Sequence, residues 1–339
     1  LHLSIRRQRQ MCIRDSTSDM RSPAVKRIGD VIDLRARQFA EDQGPLAHPV
    51  RPESFQEINN FYTATVYEKG AEVIGMLKTL VGDDAYAKAL DLYFERHDGD
   101  AATIEDWLKV FEDTTGRDLT QFKRWYSQAG TPRLSVVEAW DAGKGIFTLT
   151  FTQHTPPSTA TLEPKPQVLP ITVGLIGADG AEVAPSRVLE MTEAEQSFTF
   201  DGLDARPVAS VLRGFSAPVV LDQDLSKEER LLLLAHDSDP FNRWEAGRTL
   251  ARQSLLAAIT ENSAPDDAWL AAQRAVLEDE TLEPAYRALM LGLPSHADLA
   301  STLHDAGKTP DPAAIHQAVE ATRDAMAERF AALLGDLYD

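Results

Sequence analysis

Cysteine is nearly absent: Cys12 stands alone in 339 residues. That excludes a disulfide framework and points to a reducing compartment. Long apolar runs are missing too. No stretch approaches the roughly 18 residues that a membrane-crossing helix needs, so no membrane partner is expected. Bases are scarce, with 34 Lys and Arg against 53 Asp and Glu and a net charge of −19. Such a surface repels phosphate backbones and anionic lipid, which argues against nucleic acid as a partner. No G-x-S-x-G, P-loop or G-x-G-x-x-G occurs, so nucleophilic-serine and phosphate-cradling chemistry lack local support. The eight histidines are His2, His48, His97, His154, His236, His296, His304 and His316. No two stand four apart and none precedes a glutamate, so H-E-x-x-H is absent, as is any Cys/His cluster. A complete metal site is not expected in this chain.

What is present suits a soluble globular protein. The length predicts two or three domains, and 43% apolar residues allow sizeable cores. Residues 1–16 differ from the rest. They hold Arg6, Arg7, Arg9 and Arg14 against Asp15 alone. An Arg-rich, acid-poor start has the composition of a targeting peptide. The preferred reading is non-native sequence, with a cut at Ser16 or Thr17 and a native chain extending further upstream.

Residues 17–130 read as helical. Val25, Ile28, Val31, Ile32 and Leu34 keep helical spacing. Gly44, Pro45, Pro49 and Pro52 interrupt it. A long helix is expected from near Tyr67 to Gly82. Asp83 or Asp84 is expected to cap the next, Thr103 with Asp106 to form a capping box, and Asp118 to cap a helix ending at Gly130 and Pro132. Residues 131–221 carry short β-rich runs spaced as in an antiparallel sandwich. The polar segment "TPPSTATLEPKP" reads as a hairpin loop. Residues 222–339 return to helix, opening with a capping box at Ser226 and Glu229 and a second start at Asp239-Pro240. Antiparallel pairs with short links suggest an α-helical superhelix. The chain stops at Asp339 after an apolar turn, which reads as a second cut.

Candidate chemistry narrows to one stretch. His48, in "AHPVRP", is expected to bond backbone within a rigid turn. His97 reads as a helix C-cap. "NNFYTATVYEKGAEV", Asn59 to Val73, is helical in period but carries Tyr62 and Tyr67. Five residues apart, they point away from each other on one helix; a bend between them brings both hydroxyls to one cavity. A neutral phenol can donate to a developing oxyanion without changing its own charge. Gly70 admits a close backbone neighbour. The residues alone leave two readings open and favour the plainer one, a polar-rimmed helix packing on a neighbour.

The segments "NNFYTATVYEKGAEVIGML", "AHPVRP", "LYFERHDGDAAT", "FKRWYSQAGTP", "FSAPV" and "FNRWEAG" together resemble the bacterial aminopeptidase N branch of the gluzincin zinc aminopeptidases. The resemblance runs from about Thr17 to Asp339. It implies the helical lobe of a thermolysin-like catalytic domain, then a β-sandwich, then part of a helical superhelix. It implies peptide substrates with a free N-terminus, a cytoplasmic monomer, and zinc-activated water attacking the first peptide bond. By the Tyr-Glu-Lys-Gly motif it makes Tyr67 the residue that hydrogen-bonds the tetrahedral oxyanion. Tyr62 matches a second tyrosine of the same pocket, and Glu68 and Lys69 are packing or ion-pair positions. The family's zinc ligands, general-base glutamate and substrate loop have no match here. The expectation is therefore a fragment: zinc in the full-length parent, none bound by this chain, and no hydrolysis by it alone. The rival reading is a catalytically inactive α/β scaffold or peptide-binding interaction protein.

Overall fold

A computed structural model describes residues 22–53 and 57–338. The basic segment 1–16, with Cys12 and His2, lies outside the described residues, as does Asp339. Contacts divide the chain into two compact units. One comprises the residues up to Leu175 with Val183–Asp224; the other comprises Ile176–Glu182 with the residues from Leu225 onward.

The first unit begins with α1 (Pro23–Asp33), which has proline at its first position and buries Ile28 and Val31. A π-turn, Leu34–Gln38, continues it into α2 (Phe39–Gln43). After the Pro-rich break come a 3₁₀ turn (Ile58–Phe61), a second π-turn (Thr65–Lys69) and α3 (Gly70–Val81). The helix α4 (Asp83–His97) does not use Asp83 or Asp84 as its cap. Gly82, at φ 81°, holds that position. The two aspartates fall in the first turn, where a carboxylate meets the positive end of the helix dipole. His97 ends α4, with its ring 5.5 Å from that of Tyr93. Thr103 and Asp106 form the expected capping box of α5 (Ile104–Thr115). Its buried face packs Trp107 edge-on against Phe111, with ring centroids 4.7 Å apart, and Tyr93 likewise meets Trp107 edge-on. Asp118 accepts from the Thr120 N–H, but only Arg124–Ser127 (α6) becomes helix; Thr120–Lys123 is turn.

The β-sandwich has a four-stranded sheet in the order β5-β2-β1-β7 and a three-stranded sheet in the order β4-β3-β6. The strands are β1 (Arg133–Asp141), β2 (Ile146–His154), β3 (Leu169–Ile176), β4 (Glu182–Met191), β5 (Glu195–Phe200), β6 (Val208–Val211) and β7 (Val220–Gln223). Antiparallel pairing sets Val136 opposite Phe151 and Leu134 opposite Gln153, while β7 runs parallel to β1. The period of two turns Leu134, Val136, Phe147, Leu149 and Phe151 inward. Strand β4 carried no sequence signal: it is an edge strand, mostly exposed, with Pro185 inside it, so it lacks alternation. "TPPSTATLEPKP" is not a hairpin loop, since β2 and β3 lie in different sheets. The crossover is held by the segment "FKRWYSQ". The Trp125 indole N–H donates to the Val168 carbonyl (2.8 Å), Arg124 to the Pro166 carbonyl (2.5 Å), and Gln128 exchanges two bonds with the Lys165 backbone. Gly174 leaves room for the buried Arg213 guanidinium; a Cβ there would lie 2.0 Å from its central carbon.

Two polar ties join the helices to the sandwich within this unit. Arg27 grips Glu72 with two parallel bonds (2.7 and 2.6 Å) and donates to the carbonyls of Gly214 and Phe215. Those carbonyls belong to a turn in which Leu212 and Phe215 both have left-handed φ. Deeper, the Lys69 ammonium sits 2.8 Å from Asp42 and donates to the Gly130 carbonyl at 2.8 Å. Gly130 itself has φ 96°. Asp42 also accepts from Thr131 and the Gly130 N–H. The Lys69 side chain is 1% exposed and that of Asp42 is 0%.

The second unit is a series of helices: α7 (Lys227–His236), α8 (Pro240–Glu261), α9 (Asp267–Glu278), α10 (Pro284–Met290), α11 (His296–Asp305) and α12 (Pro312–Tyr338). The expected Ser226–Glu229 capping box and Asp239 cap are present. Arg243 of "FNRWEAG" is buried and donates to the Leu234 and Ala235 carbonyls, closing the end of α7. No helix among the described residues is long and apolar enough to cross a membrane.

The Lys69–Asp42 pair generates two predictions. Lys69→Met leaves Asp42 buried without its counter-charge and is expected to destabilise the protein by about 3–5 kcal/mol, read by urea unfolding. Lys69→Met/Asp42→Asn should recover much of that loss. The second concerns acid. Burial alone would raise the Asp42 carboxyl. The Lys69 charge, with hydrogen bonds from Lys69, Gln38 and Thr131, outweighs burial and holds it below its ordinary 3.8. A carboxyl depressed in the folded state stabilises at pH above its unfolded value. That contribution fades as pH falls through the folded value. Acid titration of stability below pH about 3.8 should therefore be shallower in the double variant than in the wild type.

Candidate active site

The stretch from Asn59 to Val73 is folded in three pieces. The 3₁₀ turn Ile58–Phe61 closes when Asn60 accepts from the Glu57 N–H at 3.0 Å. The chain then leaves helical geometry at Tyr62, with φ −90° and ψ 59°. It re-enters helix at Ala64 and widens at once into the π-turn Thr65–Lys69, where the Gly70 N–H reaches back five residues to the Thr65 carbonyl. Gly70 is buried and ordinary helix in φ and ψ. On one α-helix, side chains five apart diverge by about 140°. The bend removes that divergence. The rings of Tyr62 and Tyr67 stack, with centroids 6.0 Å apart and planes 18° from parallel. Tyr67 is half-buried and packs on the core of the first unit. Tyr62 is 54% exposed, so the stack has an open side.

The second π-turn rests on the first. Gln38 donates to the Thr65 hydroxyl (3.3 Å), and Arg37 approaches Glu68 at 4.0 Å. Glu68 and Lys69, read as packing or ion-pair residues, are thus both beside opposite charges, Glu68 near the surface and Lys69 in the interior. π-turns inside α-helices recur at functional sites.

His48 does more than bond its own turn. One ring nitrogen, Nδ1, lies 2.8 Å from the Leu46 carbonyl, and the other, Nε2, lies 2.8 Å from the Thr63 hydroxyl. A carbonyl only accepts, so Nδ1 carries a proton; in the neutral ring Nε2 accepts from Thr63. Thr63 and Glu41 went unnoticed in the sequence. Thr63 is a standard cap residue ahead of a helix, and that signal was available. Glu41 carried none, because its partner, the Thr65 N–H, lies far along the chain. Among the described residues no group of three or more His, Cys, Asp or Glu side chains could hold a metal ion. A cleft of about 630 Å³ is lined by Asp42, Pro45, Thr131, Pro156 and Leu162, but not by either tyrosine.

Comparison with known proteins accords with this arrangement. Residues 10–126 match the peptidase family M1 domain, a match that reaches back into the basic N-terminal segment. Residues 130–224 match a domain of unknown function with an Ig-like fold (DUF3458), and residues 227–339 its companion of ARM repeats (DUF3458_C). Aminopeptidase N of Caulobacter vibrioides is 46% identical over 97% of this chain, and aminopeptidase N of Escherichia coli 39% over 95%. The chain spans 38% of the length of each of these relatives. Among solved structures, Legionella pneumophila aminopeptidase A in complex with aspartic acid superposes with a TM-score of 0.74 at 26% identity. That match covers 89% of this chain and 34% of the other. The expected order of M1 helical portion, β-sandwich and helical superhelix is therefore present, and the chain belongs to the aminopeptidase N branch of the M1 peptidase family.

Proposed function

We propose that this chain is part of a zinc metallo-aminopeptidase that removes N-terminal residues from peptides, and that it supplies the oxyanion-stabilising tyrosine. One observation carries the reading. Tyr67 of the Tyr-Glu-Lys-Gly motif stands on a π-turn with Tyr62 stacked on its ring, in a chain closely related to aminopeptidase N throughout. Peptides with a free N-terminus are the substrate class. The single cysteine fits a cytoplasmic setting, and we take the enzyme to be a monomer.

The chemistry assigned to this chain is the phenol's alone. As the first peptide bond is attacked, its carbonyl oxygen gathers negative charge. A donor already fixed nearby bonds that oxygen more strongly than it bonds the neutral carbonyl, and the difference lowers the barrier. Tyr67 is the donor and Tyr62 its neighbour in the pocket. The zinc that the family implies does not fit the residues described here, which offer no ligand set. No step is assigned through it, and its ligands are placed elsewhere in the intact enzyme. The chain alone is accordingly expected to hydrolyse nothing.

In the intact enzyme, Tyr67→Phe should lower kcat by about 10²–10³-fold while KM changes little; steady-state kinetics with an aminoacyl chromogenic substrate reads both. Near wild-type turnover removes Tyr67 from the mechanism. Metal analysis of the purified chain should find no stoichiometric zinc. One tightly held zinc per chain overturns the placement of its ligands.

A further inference from the structure

Lys69 anchors the far end of the Tyr-Glu-Lys-Gly turn. Its near end is anchored by residues outside that motif, and nothing so far gives them a part in the reaction. We propose that Thr63 and His48 are positioning residues for Tyr67: they fix the first turn of the helix that carries it and so aim the phenol. The inference rests on the reading of Tyr67 as oxyanion donor.

Thr63 holds the turn twice. Its hydroxyl oxygen accepts from the Val66 N–H at 3.2 Å, and its carbonyl accepts from the Tyr67 N–H at 3.1 Å. The preceding donor, the Thr65 N–H, goes to the Glu41 carboxylate at 3.0 Å. Three consecutive backbone donors, ending at Tyr67 itself, are thus bound. The first turn of a helix is otherwise where donors go unpaired and the backbone frays.

His48 sets the direction of the Thr63 hydroxyl. With the ring neutral, the proton of that hydroxyl points to Nε2, which also faces the Glu41 carboxylate at 3.7 Å, and its lone pairs are left for Val66. The ring cannot swing, because Nδ1–H is tied to the Leu46 carbonyl. The segment beyond is anchored as well. The Arg51 N–H donates to the Tyr126 carbonyl (3.0 Å) and its guanidinium to Glu105 (2.7 Å). The chain of bonds therefore runs from "AHPVRP" to the tyrosine helix: Val66 N–H to Thr63, Thr63 O–H to His48, His48 N–H to Leu46.

The location suits an aiming device. Thr63 sits at the bend between Tyr62 and Tyr67, so a change there moves one ring against the other. Thr63 and His48 are only partly buried and contribute nothing to the apolar core, so their loss should cost orientation more than stability. A misplacement of about 1 Å at a reacting group can cost about 10²-fold in rate.

The test is made in the intact aminopeptidase. Thr63→Val keeps the shape and removes the hydroxyl. It is expected to lower kcat about tenfold or more, with KM nearly unchanged and only the small drop in melting temperature that the loss of one helix cap brings, and Thr63→Ser should restore most of the rate. In a Tyr67→Phe background, Thr63→Val should add no further loss. With 3-fluorotyrosine at position 67, the ¹⁹F resonance should shift or broaden in Thr63→Val and His48→Ala but not in Thr63→Ser. Unaffected kcat in Thr63→Val, or losses that multiply in the double variant, overturn the inference while Tyr67→Phe still upholds the oxyanion reading. Unchanged kcat in Tyr67→Phe itself removes that reading, and this inference with it.

Discussion

A single buried charge pair governs the first unit. Lys69 and Asp42 are removed from water almost completely, and such pairs rarely add net stability over a well-packed apolar alternative. What this pair supplies is position. Its hydrogen bonds come from α2, from the π-turn and from the entry to β1. If any of the three drifts, a buried charge loses a partner. The tyrosine two residues before Lys69 inherits that constraint through the backbone.

Three of the other segments that carry the family resemblance serve the same junction from different sides. "FKRWYSQAGTP" binds the crossover loop and provides the Gly130 carbonyl that Lys69 needs. "FSAPV" begins with Phe215, whose carbonyl Arg27 holds along with Glu72 of α3. "AHPVRP" reaches the near end of the tyrosine helix through His48. These segments are scattered along the chain, yet within the first unit they converge on one helix start. Their order in the sequence is a by-product of that convergence.

Legibility followed the range of the interaction. The capping boxes at Thr103 and Ser226, and the Asp239-Pro240 start, were readable because both partners lie within one turn of chain. The buried face of α1 was readable because burial imposes a period. Gly82 in place of Asp83 as a cap was missed because a positive φ suits glycine and leaves the aspartates to the dipole. The π-turns were invisible: one extra residue per turn leaves too faint a trace in a five-residue span. Strand β4 was missed because an exposed edge needs no alternation. The ties of Asp42 to Lys69, Arg27 to Glu72 and His48 to Thr63 join residues 15 to 45 positions apart. A chain rich in acids offers many candidate partners at that range, and only the fold selects among them. The bend at Tyr62 follows from the same selection, which is why the residues alone preferred a plain helix.

The bond from Lys69 to the Gly130 carbonyl joins positions 61 apart. It makes everything between them, α3 through α6, a closed loop whose two ends meet at the ion pair. Lengthening a loop that is already closed costs little, since the entropy grows only with the logarithm of its length. Changes in chain length at the turns around Gly99 and Gly116 can therefore be absorbed within the lobe. The anchor, and the phenol beside it, stay where they are while the lobe is free to be remodelled.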